Sequence, residues 1–288
     1  MRTYDVHQHL WPSAFVEALR GRRRPPLLAD GELVTREGRF RIDLRAHDPA
    51  ERLRMLDRDG IDVAVLSLQA SLGLEDLAGD ERAALEDSWA EGTREIVEAG
   101  GGRFLAFSPS HVRDGFVGVS VGASTLLENG VATEALTAAA EREIPVFVHP
   151  DAPRGLDPER PEWWQWVTGY PARMQAAYLA WLAFGRDRWP TLRILFAMLA
   201  GGGPFQLERL ARRGVDVRSA LDANAFFEVS THGRRAIELC IETFGVTQLA
   251  YGSDVPVVDP RPTLHAVRGF GDAVAHVLQS ETPGALLT

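Results

Sequence analysis

The stretch IPVFVHP, residues 144–150, is a short apolar run that ends in a histidine and a proline. Seven similar runs occur along the chain: TYDVH (3–7), IDVAVLSL (61–68), RFLAFSP (103–109), FVGVSV (116–121), LRILFAML (192–199), AFFEVS (225–230) and QLAYGSD (248–254). Most are apolar along their whole length, which is typical of parallel strands covered on both faces. The sequence therefore predicts eight parallel strands.

Longer helical patterns separate these strands, among them residues 48–60, 80–100, 134–143 and 205–214. Eight strands with intervening helices in about 250 residues match a (β/α)8 or TIM barrel in number and length. A doubly wound open sheet is the alternative, but the first strand lacks the glycine-rich turn of a dinucleotide-binding fold. We therefore expect an α/β fold, with one TIM-barrel domain spanning residues 1–288.

Two insertions interrupt the regular alternation of strands and helices. Residues 20–47 contain ELV and RFRI on either side of TREG, which predicts a β-hairpin after strand 1. Residues 151–170 are rich in proline and tryptophan and predict a long loop after strand 5 that leads into a helix. Because both insertions follow strand carboxyl ends, we expect both to overhang the face of the barrel that carries active sites.

The composition excludes several kinds of chemistry. All 31 basic residues are arginine, so a lysine Schiff base and a metal bridge through carbamylated lysine are excluded. The net charge of −9 disfavours nucleic acid and anionic membranes as partners and favours a small-molecule substrate. Cys240 is the only cysteine, so no intramolecular disulfide forms, and no segment is typical of a signal peptide or membrane span. We therefore expect a cytoplasmic protein.

Four ligand-capable side chains fall at predicted strand ends. His7 and His9 are two residues apart on the first strand, so their imidazoles point to the same side. His149 ends the fifth strand and Asp254 ends the eighth. Three imidazoles and one carboxylate suit a single divalent ion, with Zn²⁺ expected first and Mn²⁺, Fe²⁺ or Co²⁺ as alternatives. We therefore predict that these four residues bind a metal at the strand carboxyl ends, where barrels build their active sites.

With these residues in place, the chain resembles the amidohydrolase superfamily, specifically the amidohydrolase-related branch that includes aminocarboxymuconate-semialdehyde decarboxylase and similar aromatic-acid decarboxylases. The resemblance covers nearly the whole chain: DVHQH (5–9), DGIDVAVLS (59–67), FLAFSP (104–109), IPVFVHP (144–150), WLAFGRDRWPTLRILFAMLAGGGPF (181–205) and YGSDVP (251–256). It implies a mononuclear metal enzyme whose ligands are His7, His9, His149 and Asp254. The absence of lysine agrees with the mononuclear form.

One position departs from the family pattern. The resemblance places a catalytic histidine at the end of strand 6, where this sequence has Met198. A thioether cannot act as a general acid or base, so the usual proton-transfer group of the family is missing. His232, just beyond strand 7, is the candidate substitute, and His111, after strand 3, is a candidate contact for a substrate carboxylate or carbonyl. A solvent-exposed position is the alternative for both histidines.

The insertions supply further candidate contacts with a substrate. Arg24, beside two prolines, could clamp a carboxylate, and Trp163 and Trp164 could form an aromatic wall. A solvated loop is the alternative for the arginine, and ordinary packing or a homodimer contact is the alternative for the tryptophans.

Three functions remain open at this point. The first is a hydrolase that uses the metal and a water molecule to cleave an amide, ester or lactone, with Asp254 accepting a proton. This version depends least on a second histidine, so Met198 favours it slightly. The second is a non-oxidative decarboxylase of an aromatic or unsaturated carboxylic acid, which the resemblance favours. The third is a barrel whose catalysis is altered or lost because Met198 replaces the histidine.

Overall fold

Eight parallel strands form the centre of the molecule. A computed structural model describes residues 1–127, 131–152, 159, 161 and 163–288. The barrel strands are β1 (Tyr4–Gln8), β5 (Val63–Leu66), β6 (Phe104–Pro109), β7 (Gly118–Gly122), β8 (Val146–His149), β9 (Ile194–Phe196), β10 (Ala225–Glu228) and β11 (Leu249–Ala250). They pair in that order, each strand parallel to the next.

The segment that follows the last strand returns to the first strand and closes the sheet. The amide of Val6 donates to the carbonyl of Tyr251 at 2.9 Å, and the amide of His9 donates to the carbonyl of Val255 at 2.7 Å. The predicted (β/α)8 barrel is therefore confirmed. Its interior is filled by apolar side chains such as Phe107 and Phe147, whose rings stack at 5.4 Å between centroids.

Helices cover the outside of the barrel. They are α1 (Ser13–Arg20), α2 (Pro49–Asp59), α3 (Gly79–Ala99), α4 (Ala123–Leu127), α5 (Val131–Glu141), α6 (Trp164–Ala180), α7 (Arg186–Arg188), α8 (Met198–Gly202), α9 (Pro204–Ala211), α10 (Arg234–Phe244), α11 (Arg261–Arg268), α12 (Asp272–His276) and α13 (Thr282–Leu287). Among the described residues, no helix combines the length and apolarity needed to span a bilayer.

The bounds of α2 show how local sequence sets a helix. The side chain of Asp48 accepts from the amide of Ala50 at 2.7 Å and so caps the amino end, where Pro49 occupies the first helical position. Gly60 ends the helix in a left-handed conformation at φ +66°, which a residue without a Cβ adopts at no steric cost. These two ends position the chain to enter β5.

The first insertion has one strand more than the predicted hairpin. Residues 20–47 contain a three-stranded antiparallel sheet of β2 (Leu27–Ala29), β3 (Glu32–Thr35) and β4 (Gly38–Arg41), in the order β2-β3-β4. The hairpin of β3 and β4 around the predicted turn is present. The prediction missed β2 because this strand is only three residues long and directly follows two prolines.

The second insertion lies partly outside the described residues. Of the range 151–170, residues 153–158, 160 and 162 are not described. The helix α6 begins at Trp164, so the predicted loop ends earlier than residue 170.

Candidate metal centre

Side-chain donor atoms from four residues converge at the carboxyl ends of the strands. His7, His9, His149 and Asp254 each offer one atom, and these atoms all lie within 4.8 Å of one another. The Nε2 atoms of His7 and His149 lie 3.1 and 3.2 Å from Nε2 of His9. Oδ1 of Asp254 lies 3.1 Å from Nε2 of His9 and 3.5 Å from Nε2 of His7. Ligands about 2.1 Å from one tetrahedral ion are roughly 3.4 Å apart, so this spacing fits a single small ion.

Hydrogen bonds on the far side of the rings fix the orientation of two imidazoles. Nδ1 of His9 lies 2.8 Å from the carbonyl oxygen of Ser67, and Nδ1 of His149 lies 2.8 Å from that of Pro150. Because a carbonyl oxygen only accepts, each Nδ1 donates, and the Nε2 lone pair of each neutral ring faces the cluster. This is the tautomer that binds a metal through Nε2.

A β-bulge shapes the strand that carries the first two histidines. Asp5 pairs with Ala64 and Gln8 pairs with Leu66, so β1 has one residue more than β5 over this interval. The carboxylate of Asp5 accepts from the amide of His7 at 3.2 Å and thereby stabilises the irregular segment. Bulges are common beside active sites because they change the direction of side chains.

The cluster is closed toward the barrel and open toward solvent on one side. His7, His9 and His149 are buried, whereas the side chain of Asp254 keeps 15% of its surface exposed. The ring of Phe147 lies 4.9 Å from that of His7 between centroids and forms an apolar floor. A substrate would therefore approach the cluster from the side of Asp254.

The electrostatics of the protein alone favour a cation at this position. Burial lowers the pKa of His9 and of His149 well below the usual value, so both are neutral. Burial also acts to lower the pKa of His7, but the charges of Glu228 and Asp254 outweigh it and the pKa is raised. Burial raises the pKa of Asp254. The lone pairs of His9 and His149 and the carboxylate of Asp254 repel at these distances unless a positive charge lies among them. A proton on His7 or a metal ion can supply that charge, so the donor set fits a metal ion.

Glu228 is a site residue that the sequence interpretation missed. It ends β10, is fully buried, and lies 3.0 Å from Nδ1 of His7 through its Oε2. The signal was present, since Glu228 is the only ionisable residue in the apolar run AFFEVS. The criterion that singled out His149 and Asp254, a polar residue near the end of an apolar strand, applies to it equally.

Met198 lies two residues beyond β9, and its side chain is half-buried against the core. The segment α8 is a left-handed turn and not a right-handed helix, with φ of +53° at Met198, +49° at Leu199, +52° at Ala200 and +61° at Gly201. The amide of Met198 donates to Oε2 of Glu228 at 3.2 Å. The backbone amide of Met198 is thus bonded to Glu228, which contacts His7 of the candidate metal centre. The side chain of Met198 carries no titratable group.

The structure places the two candidate histidines of the loops differently. His232 is half-buried just after β10, and its Nδ1 donates to the carbonyl of Ser230 at 2.8 Å, which leaves Nε2 available. His111 is exposed after β6. Within the described part of the chain, no hydrogen bond or ion pair joins either residue to the four clustered side chains.

The insertion residues predicted to contact a substrate lie at the surface to different degrees. Arg24 is exposed, Trp163 is half-exposed, and Trp164 is partly buried with its ring 5.7 Å from that of Trp163. Arg36, at the turn of the first insertion, instead reaches across the mouth of the barrel. It donates to Glu75 at 2.9 Å and to the carbonyl of Ala152, three residues after His149. The first insertion therefore overhangs the strand carboxyl ends.

A cavity of about 300 Å³ lies at the same end of the barrel. Its lining follows the carboxyl ends of four adjacent strands and includes Leu68, Ser110, Val121 and Asp151. Apolar and hydroxyl groups share this lining with the charged side chains of Glu75, Arg82, Glu86 and Asp151, and the four clustered side chains are not among the lining residues. A cavity of this volume suits a small organic molecule.

Comparisons with known proteins give similarity in structure alone. No protein-family model matches the chain, and no curated protein matches its sequence. The IDCase of Metarhizium anisopliae in apo form matches with a TM-score of 0.82 at 18% identity over 99% of this chain and 97% of that one. The 5-carboxyvanillate decarboxylase of Novosphingobium aromaticivorans, complexed with manganese and 4-hydroxy-3-methoxy-5-nitrobenzoic acid, matches with a TM-score of 0.75 at 17% identity over 99% and 96%.

A third solved structure extends the same similarity. The 2,6-dihydroxybenzoate decarboxylase of Rhizobium matches with a TM-score of 0.74 at 16% identity over 100% of this chain and 99% of that one. Coverage of both chains in all three cases means that the similarity is to whole folds and not to an isolated motif. The solved structures similar to this chain thus include two named decarboxylases, one of them with bound manganese, and the likeness confirms the fold that the motifs of this chain indicate.

Proposed function

We propose that this chain is a metal-dependent, non-oxidative decarboxylase of a small aromatic or unsaturated carboxylic acid. The observation that carries the proposal is the convergence of three Nε2 atoms and the Asp254 carboxylate at the mouth of the barrel. The solved structures with this fold add support, since two of those described above are decarboxylases of substituted benzoic acids. They favour decarboxylation over the hydrolysis that the sequence favoured slightly.

In this proposal His7, His9, His149 and Asp254 hold one divalent ion. When bound, such an ion would act as a Lewis acid toward substrate oxygens. The donor set suits zinc and manganese alike, and manganese is the metal in the Novosphingobium structure. We therefore no longer rank zinc above manganese. Asp254 faces solvent and so lies on the side from which the substrate carboxylate enters.

Decarboxylation also requires a proton. The bond between the carboxyl carbon and its neighbour breaks, carbon dioxide leaves, and the carbon left behind takes a proton. We assign this role to His232, because its Nδ1 bond to Ser230 orients the ring and leaves Nε2 to exchange a proton. Met198 cannot perform it.

Hydrolysis is the second candidate, and Met198 is the observation that favours it. An enzyme that needs only a metal and water to attack a carbonyl depends less on a histidine at the end of β9. The two reactions differ in where atoms from water appear. Hydrolysis places water oxygen in the product, whereas decarboxylation places a solvent hydrogen on carbon.

The experiment uses the chain loaded in turn with Mn²⁺ and Zn²⁺. It is incubated in D₂O with 5-carboxyvanillate, 2,6-dihydroxybenzoate and unsaturated carboxylic acids, and separately in H₂¹⁸O with esters and lactones. We expect release of carbon dioxide and deuterium on the product carbon, and loss of both in His149→Ala. Incorporation of ¹⁸O into product without carbon dioxide release would establish the hydrolase instead.

A further inference from the structure

The three imidazoles of the candidate centre differ in what holds them from behind. His9 and His149 donate to neutral backbone carbonyls, whereas His7 lies 3.0 Å from the carboxylate of Glu228. A charged acceptor makes a stronger hydrogen bond than a neutral carbonyl and increases the basicity of the opposite ring nitrogen. Nδ1 of His9 also lies 3.3 Å from the neutral hydroxyl of Ser67, so His7 is the imidazole whose donor strength depends on a charged side chain.

Glu228 is itself held by several donors. Its Oε2 accepts from Nδ1 of His7, from the amide of Met198 at 3.2 Å and from Oγ of Ser230 at 2.9 Å. Its Oε1 accepts from the amide of Ser230. The carboxylate therefore has one position, fixed by β1, β10 and the turn after β9.

The chain leaves room for this carboxylate at one glycine. A Cβ at Gly252 would lie 2.4 Å from Oε1 of Glu228 and 2.5 Å from its Cγ. Any larger residue would therefore displace the carboxylate from His7. Gly252 lies two residues before Asp254, so the same short segment makes space for one carboxylate and supplies the other.

We propose that Glu228 is a positioning residue of the metal centre, one that holds Nε2 of His7 toward the ion and supplies the second negative charge that balances a divalent cation. With a metal bound, three neutral imidazoles and Asp254 carry a charge of −1, and Glu228 adds a second negative charge in contact with His7. Charge neutrality matters here because the cluster is buried and an uncompensated charge is costly. This inference rests on the proposed metal site, but not on the reaction carried out there.

The test measures affinity for Co²⁺ by competition with a chelator, together with the visible absorption band of bound Co²⁺ and the free energy of unfolding of metal-free protein. We expect Glu228→Gln to weaken Co²⁺ binding by about 10 to 100-fold and to shift the band, because a neutral amide replaces the charged acceptor. Gly252→Ala should have a similar effect, since it displaces the carboxylate while leaving it in the chain.

Glu86→Gln is the matched control. It makes the same change in a buried carboxylate that is bonded to Arg82 and Ser110, so the affinity should change by less than about twofold and the band should stay in place. If Glu228→Gln lowers the free energy of unfolding while affinity and band match the parent chain, Glu228 only stabilises the fold and the proposal is wrong. Because no substrate is used, a failure to release carbon dioxide does not affect this result.

Discussion

An alanine Cβ at Gly201 would lie 2.1 Å from the carbonyl oxygen of Pro171. The left-handed turn that contains Gly201 therefore rests directly on the backbone of α6. This contact explains the glycine at position 201, because a side chain there would push the turn away from the helix. The same contact holds the turn that begins at Met198 in place after β9.

Gly201→Ala should lower the free energy of unfolding by about 3 kcal/mol or more. A left-handed conformation costs an alanine roughly 1 to 2 kcal/mol, and the contact with Pro171 adds a comparable amount. Gly214→Ala is the control, since Gly214 is also left-handed at φ +82° but has open space around its Cβ position. Denaturant titrations should show that Gly214→Ala lowers the free energy of unfolding by only about 1 kcal/mol. Equal losses at the two positions would mean that the packing against α6 contributes nothing.

His149→Ala should abolish stoichiometric metal binding. Removing a hydrogen-bond partner behind a ligand costs about 10 to 100-fold in affinity, so removing a ligand should cost more than about 100-fold. Elemental analysis after dialysis should find close to one ion per parent chain and almost none in the variant. His265→Ala changes an exposed histidine on α11 and should retain the ion. Retention of the ion by both variants would argue against the proposed centre.

Met198→His should accelerate release of carbon dioxide. Histidine is among the residues that tolerate a positive φ, so it should accept the +53° of this position. A positioned acid or base contributes about 10² to 10⁴-fold, and a gain of at least about tenfold in turnover is expected. Met198→Leu provides the comparison, because it alters the same site without adding a titratable group. If both variants behave alike, a histidine at position 198 does not reach the substrate, and the assignment of the proton to His232 is unaffected.

His47 should make the fold sensitive to mild acid. Burial lowers its pKa to about 3, and its ring accepts a hydrogen bond from the amide of Trp11 at 3.0 Å. The imidazole of His47 binds a proton near pH 6.5 in the unfolded chain but not in the folded chain. The stability that depends on neutral His47 is therefore fully present above pH 6.5 and is lost as the pH falls toward 3. This group alone should remove about 2 kcal/mol between pH 7.5 and 5.

Comparison of the parent chain with His47→Asn isolates this effect. The asparagine side chain offers an acceptor to Trp11 but does not titrate, so the variant should lose less stability between pH 7.5 and 5 than the parent. Other titrating groups act on both chains and cancel in the difference. Parallel pH dependences in urea titrations would mean that His47 is solvated and titrates normally.

Much of the fold was predictable because strands buried on both faces are apolar runs, and the barrel follows from their number. The positions of His149 and Asp254 were predictable for a related reason, since a polar residue near the end of such a run stands out. Arg36 was not, because its partners Glu75 and Ala152 lie far from it in sequence and local spacing carries no information about them. Arg24 of the same insertion is exposed, and its contact with a substrate carboxylate stays a prediction.

The conformation after β9 was also beyond prediction. Met198, Leu199 and Ala200 are residues that favour right-handed or extended backbone, yet tertiary contacts hold them left-handed. The departure of the sequence from the family pattern at Met198 was visible, but its backbone bond to Glu228 was not.

His7 and His9 lie near the start of the sequence, His149 near its middle and Asp254 near its end, and the amide of Asp254 donates to the carbonyl of His7 at 2.8 Å. Joining the first and last strands closes a loop of almost the entire polypeptide, which is costly in chain entropy and slow. A nascent chain synthesised as far as His149 already has three donors, but the barrel that would hold them together is still incomplete. The proposed centre would therefore have its full donor set only after the final strand has joined the first, so metal uptake would distinguish finished barrels from partly folded ones.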